Sequence, residues 1–307
     1  MPKTISIASG AMRALLSTSG ARLLSLHYDD QPVILSADPE QHPGWFDVYP
    51  GALIGPLANR IRAGRVPLSG TTYQMVCNEN DITALHSGPN GLDVREWQID
   101  AQTEHSVRLH HHLVDGDMGL PGERHITVSF ALDDAALTLD IKATTTAPTP
   151  MSIAHHPYWR LGNARDHTLQ VSADHYLPTD ADNVPTGTIA SVDGTALDHR
   201  TPRQLDVATD HNLCTATAPV TQPRAVATLT GTDGLRMVVE TTEPGLQVYS
   251  GAHLPDLQGT DVAPFAGIAL EPQGWPDAPN NPTFPSVIAT PETPYHQITR
   301  YVFDRAT

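Results

Sequence analysis

Cysteine is almost missing from this chain: there are two, Cys77 and Cys214, in 307 residues. Thiols so few and so far apart cannot build the multi-bridge framework of a small secreted domain, so reduced side chains are the default. Charge is sparse too, at 17%, and one-sided, with 18 Lys and Arg against 34 Asp and Glu and a formal net charge of −16. Such a balance repels phosphate backbones and anionic lipid, which argues against nucleic acid and membrane surfaces as partners and for small neutral solutes. No apolar run approaches the length of a bilayer span. The opening MPKTISIASGAMRALLS has neither a sustained apolar block nor a small-residue cleavage site, so a cytoplasmic protein is expected. Also missing are helical periodicity, internal repeats and low-complexity linkers, which disfavours bundles, solenoids and multidomain strings.

What the chain does contain is short alternation. TISIAS, RALLS, RLLSLHY, PVILS, HSVRLHHHLV, HITVSFAL, LTLDIKATTT, HTLQVSA, AVATLTG, LRMVVETT and LQVYSG are each too short for a stable helix and are bounded by Gly, Pro, Asn or Asp. Aliphatic and β-branched residues recur from end to end, so a large core is expected. The pattern predicts an all-β fold, a single large antiparallel β-sandwich domain spanning residues 1–307, with QITRYVF as a terminal strand completing a sheet. Asp174–Arg200, rich in Pro, Asp, Gly and Thr, reads as loops and short strands.

A few segments depart from this scaffold texture. In IALEPQGWPDAPNNPTFPS, Ile268–Ser286, an apolar run ends on Glu271 before Pro, Gly and Asn forbid regular structure. A carboxylate emerging partly desolvated at a strand end is a candidate general base, though a strand-end acid in water is the plainer alternative. The Gly-punctuated stretch Tyr49–Val66 carries Asn59, Arg60, Arg62 and Arg65; Arg60 offers a planar fork of donors, while Arg62 and Arg65 read as a solvated rim. His86 stands at a strand-to-loop junction suited to facing a cleft. In His110–His112 alternation sends the first and third to one face and the second to the other, and a metal site there lacks an identified third ligand. IAHHPYWRLG places His155, His156, Tyr158 and Trp159 together, and alternation leaves open which histidine faces a pocket. Asp210 and Gln247, on other strand-like segments, are not distinctive alone.

Taken in order, ANRI, LHSG, HPYW, PTG, TDHN, GLQVYSG and LEPQGWPDAPNNPTFPS make the chain, from about Gly51 to Phe303, resemble the aldose 1-epimerase (galactose mutarotase) family. Each island is weak; seven in one order at compatible separations are specific. The resemblance implies a large sandwich of the galactose mutarotase type whose concave face holds a monosaccharide, interconversion of its α and β anomers, and no cofactor or metal. It matches Glu271 to the catalytic base and His156 to the catalytic acid. His86, Arg60, Asp210 and Gln247 match substrate-positioning residues, with Asn59 beside them. His155 has no counterpart. Asp277 and Asn280 are expected only to shape their loop.

The chemistry asks for these groups. A cyclic hemiacetal opens when one group removes the anomeric hydroxyl proton as another protonates the ring oxygen, and it recloses on either face of the aldehyde. Pro56, Ser87, Trp159, Arg160 and Ala252 depart from the usual family residues, and Arg160 and Ala252 are expected near enough to the pocket to influence sugar choice. Two rivals are a hexose-6-phosphate 1-epimerase, with Arg62, Arg65 or Arg160 anchoring the phosphate, and a non-catalytic sugar-binding module on the same sandwich. A monomer or homodimer is expected.

Overall fold

The computed structural model describes residues 2–205 and 208–305. Its largest unit is a nine-stranded antiparallel sheet. The strands lie in the order Gln98–Gln102, Ser106–Leu113, Arg124–Leu132, Ala136–Thr145, Tyr295–Arg305, Leu235–Thr241, Arg224–Thr230, Thr168–Val171 and Arg203–Gln204. Period-two alternation turns one side chain in two inward, as in Arg124–Leu132, where Ile126, Val128 and Phe130 are fully buried. A six-stranded sheet faces it, ordered Tyr158–Trp159, Ile268–Gln273, Gly245–Tyr249, Asp210–Cys214, His175–Tyr176 and Ala190–Ser191.

Leu213, Leu246, Val248, Ile268 and Leu270 of the six-stranded sheet share one buried apolar cluster with Phe130, Leu139, Met237, Val239, Tyr301 and Phe303 of the larger sheet. The two sheets therefore pack face to face as a β-sandwich, the architecture read from the sequence. A four-stranded N-terminal sheet, Thr4–Ser9 through Gln31–Pro32, adds Ile5, Ile7, Met12 and Leu16 to the same cluster.

The same alternation decides what the other face of the six-stranded sheet carries. With Leu246, Val248 and Leu270 turned to the core, their neighbours Gln247 and Glu271 point the opposite way and stand as register partners. Asp210 and Tyr249 are likewise partners, as are Asn212 and Gln247. One face of this sheet is thus core and the other is polar, and the polar face is the floor of the site.

Two details differ from the sequence reading, and a third adds to it. Only Pro32 of PVILS is in a strand, the short Gln31–Pro32; Ile34 makes an isolated bridge to Trp159, whose ring packs 4.4 Å from that of Tyr301. Glu271 is not at a strand end, because the strand continues through Pro272 to Gln273 and all six of its residues are buried. The C-terminal strand Tyr295–Arg305 lies at the centre of the large sheet, between Ala136–Thr145 and Leu235–Thr241, and not at an edge. Cys77 and Cys214 are free thiols. No helix among the described residues is long and apolar enough to cross a membrane.

Glu243 is a buried acid away from that polar floor. It is 3% exposed, and burial pushes its carboxyl up to about 8, against the pull of Arg224. A group with a raised folded pKa contributes stability that is complete below its unfolded value, 4.5, and gone once pH passes the folded value near 8. Glu243→Gln removes this dependence. The unfolding free energy of the parent, from urea titration, should fall relative to the variant by about 1.4 kcal/mol per pH unit between those limits. Parallel pH profiles for the two proteins would refute the assignment.

Candidate active site

A cavity of about 490 Å³ opens over the polar face. Glu271 and Tyr158 rise from its floor, Asp210 and Tyr249 from the neighbouring strands, Arg60 from the start of the short strand Arg60–Arg62, and Tyr49, Asn59 and His86 from the loops that cross it. The adjacent histidines separate as alternation requires. His155 packs into the core, its ring 5.9 Å from those of Phe130 and Tyr301. His156 faces the cavity, with Nε2 3.5 Å from Oε1 of Glu271.

Backbone strain holds much of the loop wall. Tyr49, Asn59 and His86 all line the cavity with positive φ, at 59°, 64° and 51°, a conformation that costs non-glycine residues energy and is kept only where the surroundings fix it. Gly51 shows how tight that fixing is. At φ +65° a Cβ would sit 2.0 Å from the Leu23 carbonyl oxygen. The Gly51 N–H donates to the His156 carbonyl at 2.8 Å and its own carbonyl accepts from Leu23 at 2.8 Å, tying the histidine's backbone to the N-terminal sheet.

His86 is tautomerically defined. Its Nδ1 accepts the Asn59 backbone N–H at 3.1 Å, so a neutral ring carries its proton on Nε2 as a donor. Burial, then repulsion from His156 and Arg60, pushes its pKa well below 6.5 and keeps the ring neutral. Asn59 Oδ1 accepts the Arg60 backbone N–H at 2.8 Å, so this side chain is committed partly to its own loop.

Arg60 sits between two carboxylates. Nε and Nη2 donate to Glu79 at 2.8 Å each, and Nη1 donates to Asp210 Oδ2 at 3.2 Å. Asp210 Oδ1 in turn accepts from Gln247 Nε2 at 2.6 Å. Gln247 is buried beneath Asp210 and, unlike the other sequence candidates, is not part of the cavity wall, so its reach is to Asp210. Glu79 was not singled out from sequence. It lies in the irregular segment NENDIT, and only the fold brings it to Arg60.

The electrostatics of the acid–base pair follow from burial. Desolvation lifts Glu271 well above 4.5, with the Asp210 charge adding to the rise and Arg60 opposing it. Desolvation likewise lowers His156 to about 4, with the Asp210 charge working to raise it. Each group alone resists its charge, and at 3.5 Å they can hold one proton between them. The uncharged arrangement, carboxylic acid beside neutral imidazole, is favoured in the sugar-free cavity. Arg60 favours the carboxylate, while the Asp210 charge favours a proton on either member of the pair. Oε2 of Glu271 and Nδ1 of His156 are buried without protein partners.

The arginines considered as phosphate anchors lie elsewhere. Arg62 pairs with Asp180 at 2.8 Å and, with Arg65, lines a separate hollow. Arg160 pairs with Asp261 in another, so its expected influence at the pocket is not supported, whereas Ala252 does line the cavity. Asp277 accepts the Arg62 N–H at 3.1 Å and Asn280 Nδ2 at 2.7 Å, shaping its loop.

The cavity is of monosaccharide size and sets a buried carboxylate 3.5 Å from an imidazole, and the chain's likeness to known proteins gives its family. The chain is 34% identical over 276 residues to galactose mutarotase from Mus musculus, covering 84% of this chain and 80% of that protein. It is 33% identical over 275 residues to aldose 1-epimerase from Escherichia coli (strain K12), covering 82% and 79%. The crystal structure of an aldose epimerase homologue from C. elegans superposes with a TM-score of 0.92 at 26% identity over the whole of both chains. The family described as aldose 1-epimerase matches residues 3–302, the stretch that holds every strand and loop of this cavity, and the chain belongs to that family.

Proposed function

We propose that this protein is an aldose 1-epimerase that interconverts the α and β anomers of a free aldohexose by acid–base ring opening. The observation that carries the reading is the buried contact between Glu271 and His156, 3.5 Å apart in one sugar-sized cavity. In the reactive arrangement the shared proton lies on His156. Glu271 takes the proton of the anomeric hydroxyl while His156 protonates the ring oxygen, and the bond from C1 to the ring oxygen breaks to give the aldehyde. Rotation about C1–C2 presents the other carbonyl face. Closure runs the two transfers in reverse, so the pair ends as it began and no cofactor is consumed.

The other residues act on position. His86 donates through Nε2 to an oxygen on which charge develops. Arg60 and Asp210 hold further hydroxyls, Asn59 sets the loop beneath them, and Gln247 fixes Asp210, so the open chain stays oriented for closure. A phosphorylated hexose fits poorly. Arg60, the cation on the cavity wall, is already neutralised by Glu79 and Asp210, and no spare positive charge there offsets a phosphate dianion. We read the working form as a cytoplasmic monomer or homodimer, with the two free thiols consistent with a reducing compartment. Polarimetry on freshly dissolved α-glucose and α-galactose, beside α-glucose 6-phosphate, tests the whole reading. Acceleration of the free sugars supports it, and preference for the phosphate or no acceleration would sink it.

Glu79 enters this scheme as the residue that aims Arg60. Glu79→Gln keeps the shape but weakens a bidentate, charge-assisted contact to a neutral one, roughly halving its strength. KM should rise several-fold with kcat changed much less, because the acid–base pair is untouched. A selective fall in kcat at constant KM would instead place Glu79 in the proton relay.

A further inference from the structure

The outer face of the large sheet, away from the sugar cavity, carries a second cluster of titratable side chains. His112 and His125 are direct register partners on the adjacent strands Ser106–Leu113 and Arg124–Leu132. Their rings lie face to face, with centroids 4.2 Å apart and planes within 3° of parallel. Glu123 precedes His125 by two residues, so alternation brings it to the same face, and its Oε2 is 3.9 Å from His112 Nε2. The ligand atoms of all three lie within 4.8 Å of one another. His110 shares this face, but its Nδ1 is engaged 2.5 Å away by Asp100. His111 points to the other side, against Trp97.

We propose that His112, Glu123 and His125 form a binding site for a divalent transition-metal ion of the zinc class, separate from the sugar site. The ligand set supports this class. Two imidazoles and a carboxylate are the donors that zinc accepts, and they are too nitrogen-rich for calcium or magnesium. The register also supports it: a cross-strand pair and an i, i+2 neighbour are held by the sheet ladder, so little backbone ordering remains to be done when the ion arrives. The rings need only splay from their stack to converge their nitrogens, and the half-exposed side chains of His112 and Glu123, at 41% and 48%, have room to do so. The protein's net charge of −16 favours any dication. None of the three residues lines the sugar cavity, so the ion would clip two strands together and take no part in ring opening.

The test uses the untagged full-length chain, stripped with chelator and titrated with Zn²⁺ by calorimetry, with bound metal counted after dialysis. The expected result is one Zn²⁺ per chain, with affinity falling at least about tenfold in both His112→Asn and His125→Asn. Anomer interconversion should be the same in the parent and both variants. Circular dichroism shows whether the variants keep the sheet, and Glu123→Gln, on the lead-in to its strand, gives a third reading if one histidine variant fails to fold. No uptake by the parent would overturn the proposal, as would undiminished uptake by the folded variants, since the other histidines would then be the binders.

Discussion

Glu271→Gln is expected to slow anomer interconversion by about 10²–10⁴-fold, the range for removing one general acid–base group, while sugar affinity changes little. Glutamine fills the same volume on the same strand, so Leu270 and Pro272 keep their places and the floor is not disturbed. What it cannot do is accept the anomeric proton. The contacts that would hold the sugar come from other elements: Arg60 from its short strand in the wall, Asp210 from a neighbouring strand and His86 from its strained turn. Initial rates by polarimetry, corrected for the spontaneous reaction, measure the first quantity, and calorimetric titration with an equilibrated sugar measures the second. Turnover within twofold of the parent would remove Glu271 from its role.

His156→Asn should cost a similar factor, and the pH profile carries the sharper expectation. The pair needs one proton between its two members. Rate is therefore lost on the acid side when a second proton loads onto the imidazole, and on the alkaline side when the shared proton leaves. Burial has moved the first event down to about pH 4 and the second well above 4.5. On its acid side the parent's kcat/KM should show no loss at pH 6.5, where an ordinary histidine would titrate, and should fall only as pH approaches 4. A half-loss centred at 6.5 would show that the catalytic imidazole is solvated, contrary to the structure. Because the pair works as a unit, Glu271→Gln combined with His156→Asn should be little worse than the poorer single variant.

How much of this could be read from residues alone depended on whether the information was local. Strand alternation is local, and TISIAS, HITVSFAL and LRMVVETT became strands at the places their patterns mark. PVILS carries the same apolar texture but past Pro32 makes only scattered backbone bonds and an isolated bridge to Trp159, because pairing depends on what lies alongside. Glu271 was legible as chemistry and misplaced in structure: Pro and Gly after it look like a strand end, yet Pro272 and Gln273 continue the strand. Arg60 and Asp210 were visible one at a time; their contact joins positions 150 residues apart. Glu79 had no pattern around it at all. Likewise His110–His112 offered two histidines on one face, of which only His112 joins the cluster, while His125 needed the register of the neighbouring strand and Glu123 its lead-in.

The position of the last strand has a further consequence for how the protein is made. Tyr295–Arg305 is the middle of the nine-stranded sheet, so during synthesis its two flanks, ending at Ala136–Thr145 and beginning at Leu235–Thr241, wait with open edges. They can be joined only after Tyr295–Arg305 itself has been made. A polypeptide cut short by a premature stop just before this strand would carry every residue that lines the cavity and still present two unpaired β edges to its neighbours, the surface from which insoluble aggregates grow.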